Sequence, residues 1–339
     1  MSTSSDIAHP GETAPVQGPS ASARPHNPLL AIALRVGATF SLATMFMLFK
    51  LAGDHGVSMP ELMFWRQAVS VPIILGALLA TGQIGKLATR RPIAHAGRAA
   101  VGTAGLFCNI AASVLLPLPV ATTLGFTAPL FAVLITALVV REYVGYWRWT
   151  AVIAGFAGVL IIAGPGEIAN VPTLGVVAGL GAGIIVATVS FQIRSLARTD
   201  TPISMVFWFA MFGMLGASVF LPFYARPHDA QTYLILLALG IAGTMGQFFV
   251  AASLRYGSVA TVVVIDYVSL IWSTSYGLFI FGSWPPHTTW LGAPLIIVAG
   301  LIITWREHYL SKRISPTSTM DPGALEETAG DQPRDRRGT

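Results

Sequence analysis

Ten apolar stretches follow one another between Leu29 and Trp305, separated by short polar breaks, at about 28–51, 60–80, 99–116, 120–140, 147–163, 174–193, 202–224, 231–253, 258–281 and 288–305. Each is close to the ~20 residues that a helix needs to cross ~30 Å of hydrocarbon. Backbone groups in lipid must be satisfied within the segment, so the stretches predict helices. They do not alternate polar and apolar positions as the strands of a membrane barrel would. The ten fall into two sets of five. A unit with an odd number of spans, repeated once, enters the membrane in opposite orientations. The expected fold class is therefore an all-α integral membrane protein of ten transmembrane helices, built as two inverted five-helix repeats over 28–163 and 174–305. Tails at 1–27 and 314–339, rich in small polar residues and proline, read as disordered.

The duplication shows in related wording in the same order. Ala111-Ala112-Ser113 matches Ala251-Ala252-Ser253 at the ends of the third and eighth stretches. Val120-Ala121-Thr122 matches Val259-Ala260-Thr261 at the starts of the fourth and ninth. Ala157-Gly158-Val159-Leu160-Ile161-Ile162 resembles Ala299-Gly300-Leu301-Ile302-Ile303 in the fifth and tenth. Gly175, Gly179 and Gly183 line one face of the sixth stretch at four-residue spacing, where another helix can approach closely.

Composition agrees with the pattern. Of 339 residues, 54% are hydrophobic and 10% charged, against ~25% charged in soluble domains. The net charge of +5 raises nucleic acid as a partner, but the placement of the cations gives another reason for it. With the N-terminus cytoplasmic, the internal connections carry Lys86, Arg90, Arg91, Arg98, Arg141, Arg148, Arg194, Arg198, Arg255, Arg306, Lys312 and Arg313. The external ones carry Arg226, with Lys50 at the outer end of the first span. This is the positive-inside distribution, and it places both termini in the cytoplasm of a bacterial-type inner membrane. Residues 1–27 contain no apolar core and do not read as a cleavable signal peptide. Cys108 is the lone cysteine, and no metal-ligand spacing surrounds it, so neither disulfide, metal nor cofactor is expected.

Several motifs resemble those of the drug/metabolite transporter superfamily, in its EamA-like branch. The second span opens Pro60-Glu61-Leu62-Met63-Phe64-Trp65-Arg66, a proline followed by an aromatic residue and then arginine. Glu142, Trp147 and the glycines Gly155 and Gly158 fit the junction between the fourth and fifth spans, and Gly246-Gln247 fits the eighth. The chain departs from the pattern at the end of the ninth span, where Gly282-Ser283-Trp284 stands in place of a common glutamate, so the two gates need not be symmetric. The resemblance implies transport, of a substrate class ranging over amino acids, nucleotide-like metabolites, vitamins and drugs.

Ionisable groups within spans cost ~2.5–3.5 kcal/mol each on insertion scales and demand a reason. Only Glu61 and Asp266 are acidic within a span, and Glu61 is at the outer edge. Asp266 lies about eight residues into the ninth span, ~12 Å from its cytoplasmic end. It reads either as a substrate-cation or proton-coupling site or as the fixed partner of an arginine, with Arg66 the first candidate. Arg66 itself reads as scaffold or as an anion binder, Arg35 as an intramembrane cation with no evident partner, and Lys50 as an interfacial anchor. Asn109, Thr127, Gln192 and Gln247 are polar candidates for a cavity lining or for helix cross-links. Phe126, Phe131, Tyr267, Trp272 and Tyr276 supply aromatic faces for a cationic or aromatic solute, or plain packing. Pro129 removes a backbone donor in the middle of the fourth span and predicts a kink, a candidate gate.

These features predict a secondary transporter of a small organic metabolite, an amino acid or related solute by export or exchange, working by alternating access. Proton coupling through Asp266 is one option. Uptake or exchange of a cationic nucleoside-like metabolite such as S-adenosylmethionine fits Asp266 among aromatics equally well. A membrane-embedded transferase is the reading from another class, but it would gather Asp, His or Arg residues at an interface, and here the histidines are scattered. No phosphate-binding loop is present. Oligomeric state cannot be read from the pattern.

Overall fold

The computed structural model describes residues 27–141, 143–163, 172–197, 199–256 and 264–314. Glu142, Val259-Ala260-Thr261 and both tails beyond 27 and 314 lie outside the described residues. Among the described residues every regular element is helical. In chain order they are α1 (Pro28–Asp54), α2 (Met59–Ala80), α3 (Pro92–Leu115), α4 (Leu118–Gly125), α5 (Ala128–Ile135), α6 (Tyr146–Ala163), α7 (Thr173–Leu196), α8 (Pro202–Ser218), the single turn α9 (Leu221–Tyr224), α10 (Ala230–Tyr256), α11 (Ser269–Phe279) and α12 (His287–Ile314). Proline sits in the first turn of α1, α2, α3, α4, α5 and α8, where its missing N–H is no loss. Asn27 and Thr201 cap α1 and α8 through their side-chain oxygens.

Among the described residues eight helices are long and apolar enough to cross a membrane, counting Leu118–Val140 as one. Of the two other expected spans, one is interrupted and one is described only in part. The seventh is apolar over the 17 residues of α8, then turns at Val219-Phe220 into α9. The ninth is described from Val264 onward, as a 3₁₀ turn over Asp266–Val268 followed by α11.

The kink expected at Pro129 is present, and lies just upstream of it. Phe126 and Thr127 break the helix between α4 and α5, with Phe126 N–H on Thr123 and Thr127 N–H on Leu124 in tightened i→i−3 bonds. The Thr127 hydroxyl donates to the Leu124 carbonyl at 2.6 Å, holding the bend. At its far end this span loosens into a π turn, Thr136–Val140, closed by Arg141 in the left-handed region at φ 59°.

Helix pairs recur in matched form. α1 runs along α10 as α3 runs along α7; α2 crosses α8, and α6 crosses α12. Small residues set the approach. A Cβ on Gly158 of α6 would stand 2.7 Å from the Gly292 carbonyl oxygen of α12, so these backbones touch. On α7, Gly175 faces Leu116, Gly179 faces Leu124 and Gly183 faces Thr127 and Phe131, the packing expected of that glycine stripe. Phe49, Leu62, Ile110, Leu236 and Leu239 fill the junction of α1, α2, α3 and α10. Leu124, Val159, Ile162 and Ile296 do the same among α4, α6 and α12. Outward faces carry exposed Leu160, Ile153, Leu174 and Leu291, as a surface solvated by lipid requires. Against lipid such contacts stabilise by dispersion and close fit rather than by release of water.

Candidate substrate cavity

A cavity of about 410 Å³ lies among α1, α3, the α4–α5 bend, α7 and the 3₁₀ turn before α11. That volume is within the range that encloses an organic metabolite. Asp266 and Tyr267 on the 3₁₀ turn, Asn109 on α3, and Phe126 and Pro129 at the bend all line it, so five of the residues singled out in the sequence meet at one place. Thr39, Ser113, Thr122 and Ser269 add hydroxyls. Of these, Thr39, Ser113 and Ser269 donate to carbonyls of their own segments, which leaves their oxygens as acceptors. Most of the wall is apolar: Leu42, Ala43, Phe46, Ala112, Ala121 and Val186.

Asp266 is paired, and its partner is Arg35 rather than Arg66. The Arg35 Nε and Nη2 donate to Oδ1 and Oδ2, each at 2.5 Å, in a bidentate bridge from α1 to the 3₁₀ turn. The side chains are 11% and 35% exposed, so the pair faces the cavity at its Asp266 side. Arg35 Nη1 is buried and has no acceptor among the described residues. The floor of the site thus carries both signs and no net charge. Above it the Tyr267 ring lies 4.7 Å from that of Phe126, at 60°. The Tyr267 hydroxyl reaches Gly300 of α12, where a side chain would displace it. Asn109 donates to the Gly105 carbonyl at 3.0 Å and so has one donor engaged within α3.

Other sequence candidates, Thr127, Phe131, Gln192 and Tyr276 among them, lie outside this lining. Trp272 is on α11 against Phe40, ring centroids 5.2 Å apart, outside the cavity wall. Gln247 lines a separate groove of about 350 Å³ between α2, α8 and α10. Arg66 is buried beneath that groove with its Nη1 on the Gln67 Oε1 at 2.7 Å. Lys50, near the C-terminal end of α1, donates to the Val114 and Leu116 carbonyls and lies over Phe281.

Two acid–histidine contacts tie α2 and α8 to segments of the other half. Glu61, at the start of α2, is buried and meets His228 Nε2 with both oxygens at 3.1 Å. Asp200, just ahead of α8, stands 3.3 Å from His95 Nε2 on α3. Burial alone would raise the Asp200 carboxyl, but hydrogen bonds from Thr199, Thr89 and His95, with the His95 charge, together hold it below its ordinary value. Asp229, ahead of α10, is also held low, by the hydroxyl and backbone N–H of Thr232.

The model of the EamA-like transporter family matches the chain twice, over residues 29–164 and 173–305. The chain belongs to the EamA-like transporter family. Among its relatives, this EamA-like protein is 27% identical to a riboflavin transporter of Vibrio cholerae over 85% of this chain and 97% of that one. It is 26% identical to the pseudopaline exporter CntI of Pseudomonas aeruginosa, over 80% and 95% of the two chains. It is 24% identical to an S-adenosylmethionine uptake transporter of Rickettsia prowazekii, over 73% and 83%. A crystal structure at 21% identity superposes with a TM-score of 0.56 over 82% of this chain and 98% of its own, which shows a shared fold. The EamA-like protein is thus a multi-pass membrane protein of a small-molecule transporter family, as the motifs in its second and eighth spans implied.

Proposed function

We propose that this protein is a secondary transporter of a neutral or zwitterionic metabolite with a planar ring, comparable in size to riboflavin, moved by alternating access of two inverted five-helix halves. The observation that carries the substrate class is the Arg35–Asp266 bridge in the cavity floor. A carboxylate already neutralised by a bidentate guanidinium has little field left for a lone cation, whereas the pair presents complementary dipoles to a group with both signs. The Phe126–Tyr267 pair offers aromatic faces for a ring, and the apolar wall suits its flat surface. The relative described as a riboflavin transporter supports the same class.

The two matched family segments and the recurring helix pairs support the inverted-repeat reading. The distribution of Lys and Arg supports an inner-membrane location with both termini cytoplasmic. A cationic substrate such as S-adenosylmethionine is the second reading; it requires Arg35 to release Asp266, which protonation or substrate competition would have to drive.

The test is binding of riboflavin, amino acids and S-adenosylmethionine to the purified protein, followed by counterflow in proteoliposomes. Riboflavin fluorescence quenched on binding, and restored by excess unlabelled competitor, supports the proposal. Loss of that quenching in Tyr267→Ala ties it to this cavity. Binding of S-adenosylmethionine alone, retained in Arg35→Gln and lost in Asp266→Asn, would replace the proposal with the cationic reading.

A further inference from the structure

Arg66 is 4% exposed and Gln67 1% exposed, and both lie away from the central cavity. The Arg66 guanidinium rests over the Phe209 ring at 5.8 Å and donates Nη1 to Gln67. Its Nε has no acceptor, and neither does Gln67 Nε2. Among the described residues no carboxylate pairs with Arg66, because Asp266 is taken by Arg35 and Glu61 by His228. Arg98 lies over the same Phe209 ring at 5.2 Å, with Nη1 on the Met205 carbonyl, and it also lacks an acidic partner among the described residues. Two guanidinium groups therefore share one ring, with no acidic partner for either among the described residues. Buried charges left in that state cost several kcal/mol, an expense that folded proteins avoid with a counter-ion.

A small chamber adjoins the two unpartnered donors, walled by Arg66, Gln67, Ser70, Phe209, Thr244 and Gln247. The centre of a water-sized sphere can roam only about 10 Å³ there, which is one particle's worth. That is too small for carboxylates, phosphates and the organic substrate; it is the size of one water molecule or of a monatomic ion little larger. Ser70 and Thr244 hydroxyls bond each other at 2.7 Å and the carbonyls of their own helices, so they close the wall while Arg66 Nε and Gln67 Nε2 remain the free donors. Ile74, Val206, Thr244 and Gln247 line both this chamber and the 350 Å³ groove between α2, α8 and α10. Lys86 and Gln83 stand at the mouth of that groove, where a cation draws anions in.

We propose that the chamber between α2, α8 and α10 is a binding site for a single chloride-sized anion, held by Arg66 and Gln67 and reached along the groove that Lys86 flanks. The site is independent of which organic solute the central cavity takes. The ion supplies the charge that Arg66 lacks and fastens α2 to α8 across the two halves.

Thermal unfolding of the detergent-purified full chain, at constant ionic strength with gluconate replaced stepwise by chloride, bromide or sulfate, tests this. Chloride and bromide should raise the unfolding temperature saturably, and sulfate should not. Gln67→Leu removes one donor and keeps the arginine; it should weaken the apparent halide affinity about tenfold or more, the size of one hydrogen bond to a charged group. Arg66→Gln should abolish the response, and if that variant does not fold, Gln67→Leu decides. Equal stabilisation by every anion, no response to halide, or a halide response unchanged in Gln67→Leu each overturns the proposal.

Discussion

Breaking the Arg35–Asp266 bridge should be costly once and almost free the second time. Exposed ion pairs contribute ~0.2–1 kcal/mol, and removing one member of a fully buried pair costs about 3–5 kcal/mol. This bridge is bidentate, with its arginine 11% and its aspartate 35% exposed, so it sits between those limits. A coupling of about 2 kcal/mol follows after allowing for solvent screening at the carboxylate. Asp266→Asn strands a guanidinium at the cavity floor, and Arg35→Gln strands a carboxylate there. Each should lose about 2 kcal/mol, and the double variant about 2 rather than 4, because its two amides suit each other. The assay is a double-mutant cycle on stability, from reversible SDS titration in mixed micelles. The coupling corresponds to roughly a 30-fold difference between the double variant's unfolding constant and the product of the single effects. Losses that simply add, to within about 0.5 kcal/mol, would mean the two side chains do not act as a pair and would refute the reasoning.

Two further outcomes follow from the packing and the charges. Gly158→Ala puts a methyl group 2.7 Å from the Gly292 carbonyl oxygen, so α6 and α12 must separate; a loss of about 1–3 kcal/mol in the same titration is expected, and none would show that the crossing is looser than described. Asp200→Asn tests the Asp200–His95 contact through pH. A carboxyl held below its ordinary 3.8 contributes in full above that value and loses its contribution as pH falls through the lower folded value. The stability gap between wild type and Asp200→Asn should therefore persist down to about pH 5 and close below about pH 4; closure already above pH 5 would mean that the carboxyl is raised, not lowered.

Much of this architecture was legible because hydrophobic run length reports on the membrane directly. Shorter features escaped for identifiable reasons. α8 breaks at Val219-Phe220 within an uninterrupted apolar run, so hydropathy alone could not end it there. Pro129 did signal the bend, but the break falls at Phe126-Thr127 because the lost donor is felt upstream, toward Gly125. Arg66 is the first candidate partner of Asp266 in the sequence, although depth points to Arg35, the partner found. Asp266 is about eight residues from the cytoplasmic end of its span and Arg35 seven from the same side, so their backbones differ in depth by only ~1.5 Å. Arg66 is ~9 Å away in depth, and a long side chain made that gap look bridgeable. Contact between α1 and the ninth span, which decides the pairing, has no signature in either segment. Gln247 and Trp272 were grouped with the cavity by residue type, and residue type does not say which face of a helix turns inward.

The proposed inverted symmetry gives the bridge a further meaning. By the offset of the repeat, Asp266 corresponds to Thr127. Thr127 fits against Gly183 of α7, as Asp266 meets Arg35 of α1. Both contacts join a broken span to the first helix of the opposite half, yet one is a hydroxyl against a glycine and the other a bidentate ion pair. A transporter that rocks about such a pair of contacts opens a close-packed apolar seam on one side and a charged clasp on the other. On the alternating access proposed above, the clasp alone would respond to a charged solute or a proton, since only there would opening strand opposite charges. Energy coupling, where this protein uses it, should therefore enter at Arg35 and Asp266, while the Thr127–Gly183 seam opens at a cost set by packing. The missing glutamate at Gly282-Ser283-Trp284 agrees with that division, for it too marks the two halves as unlike in charge.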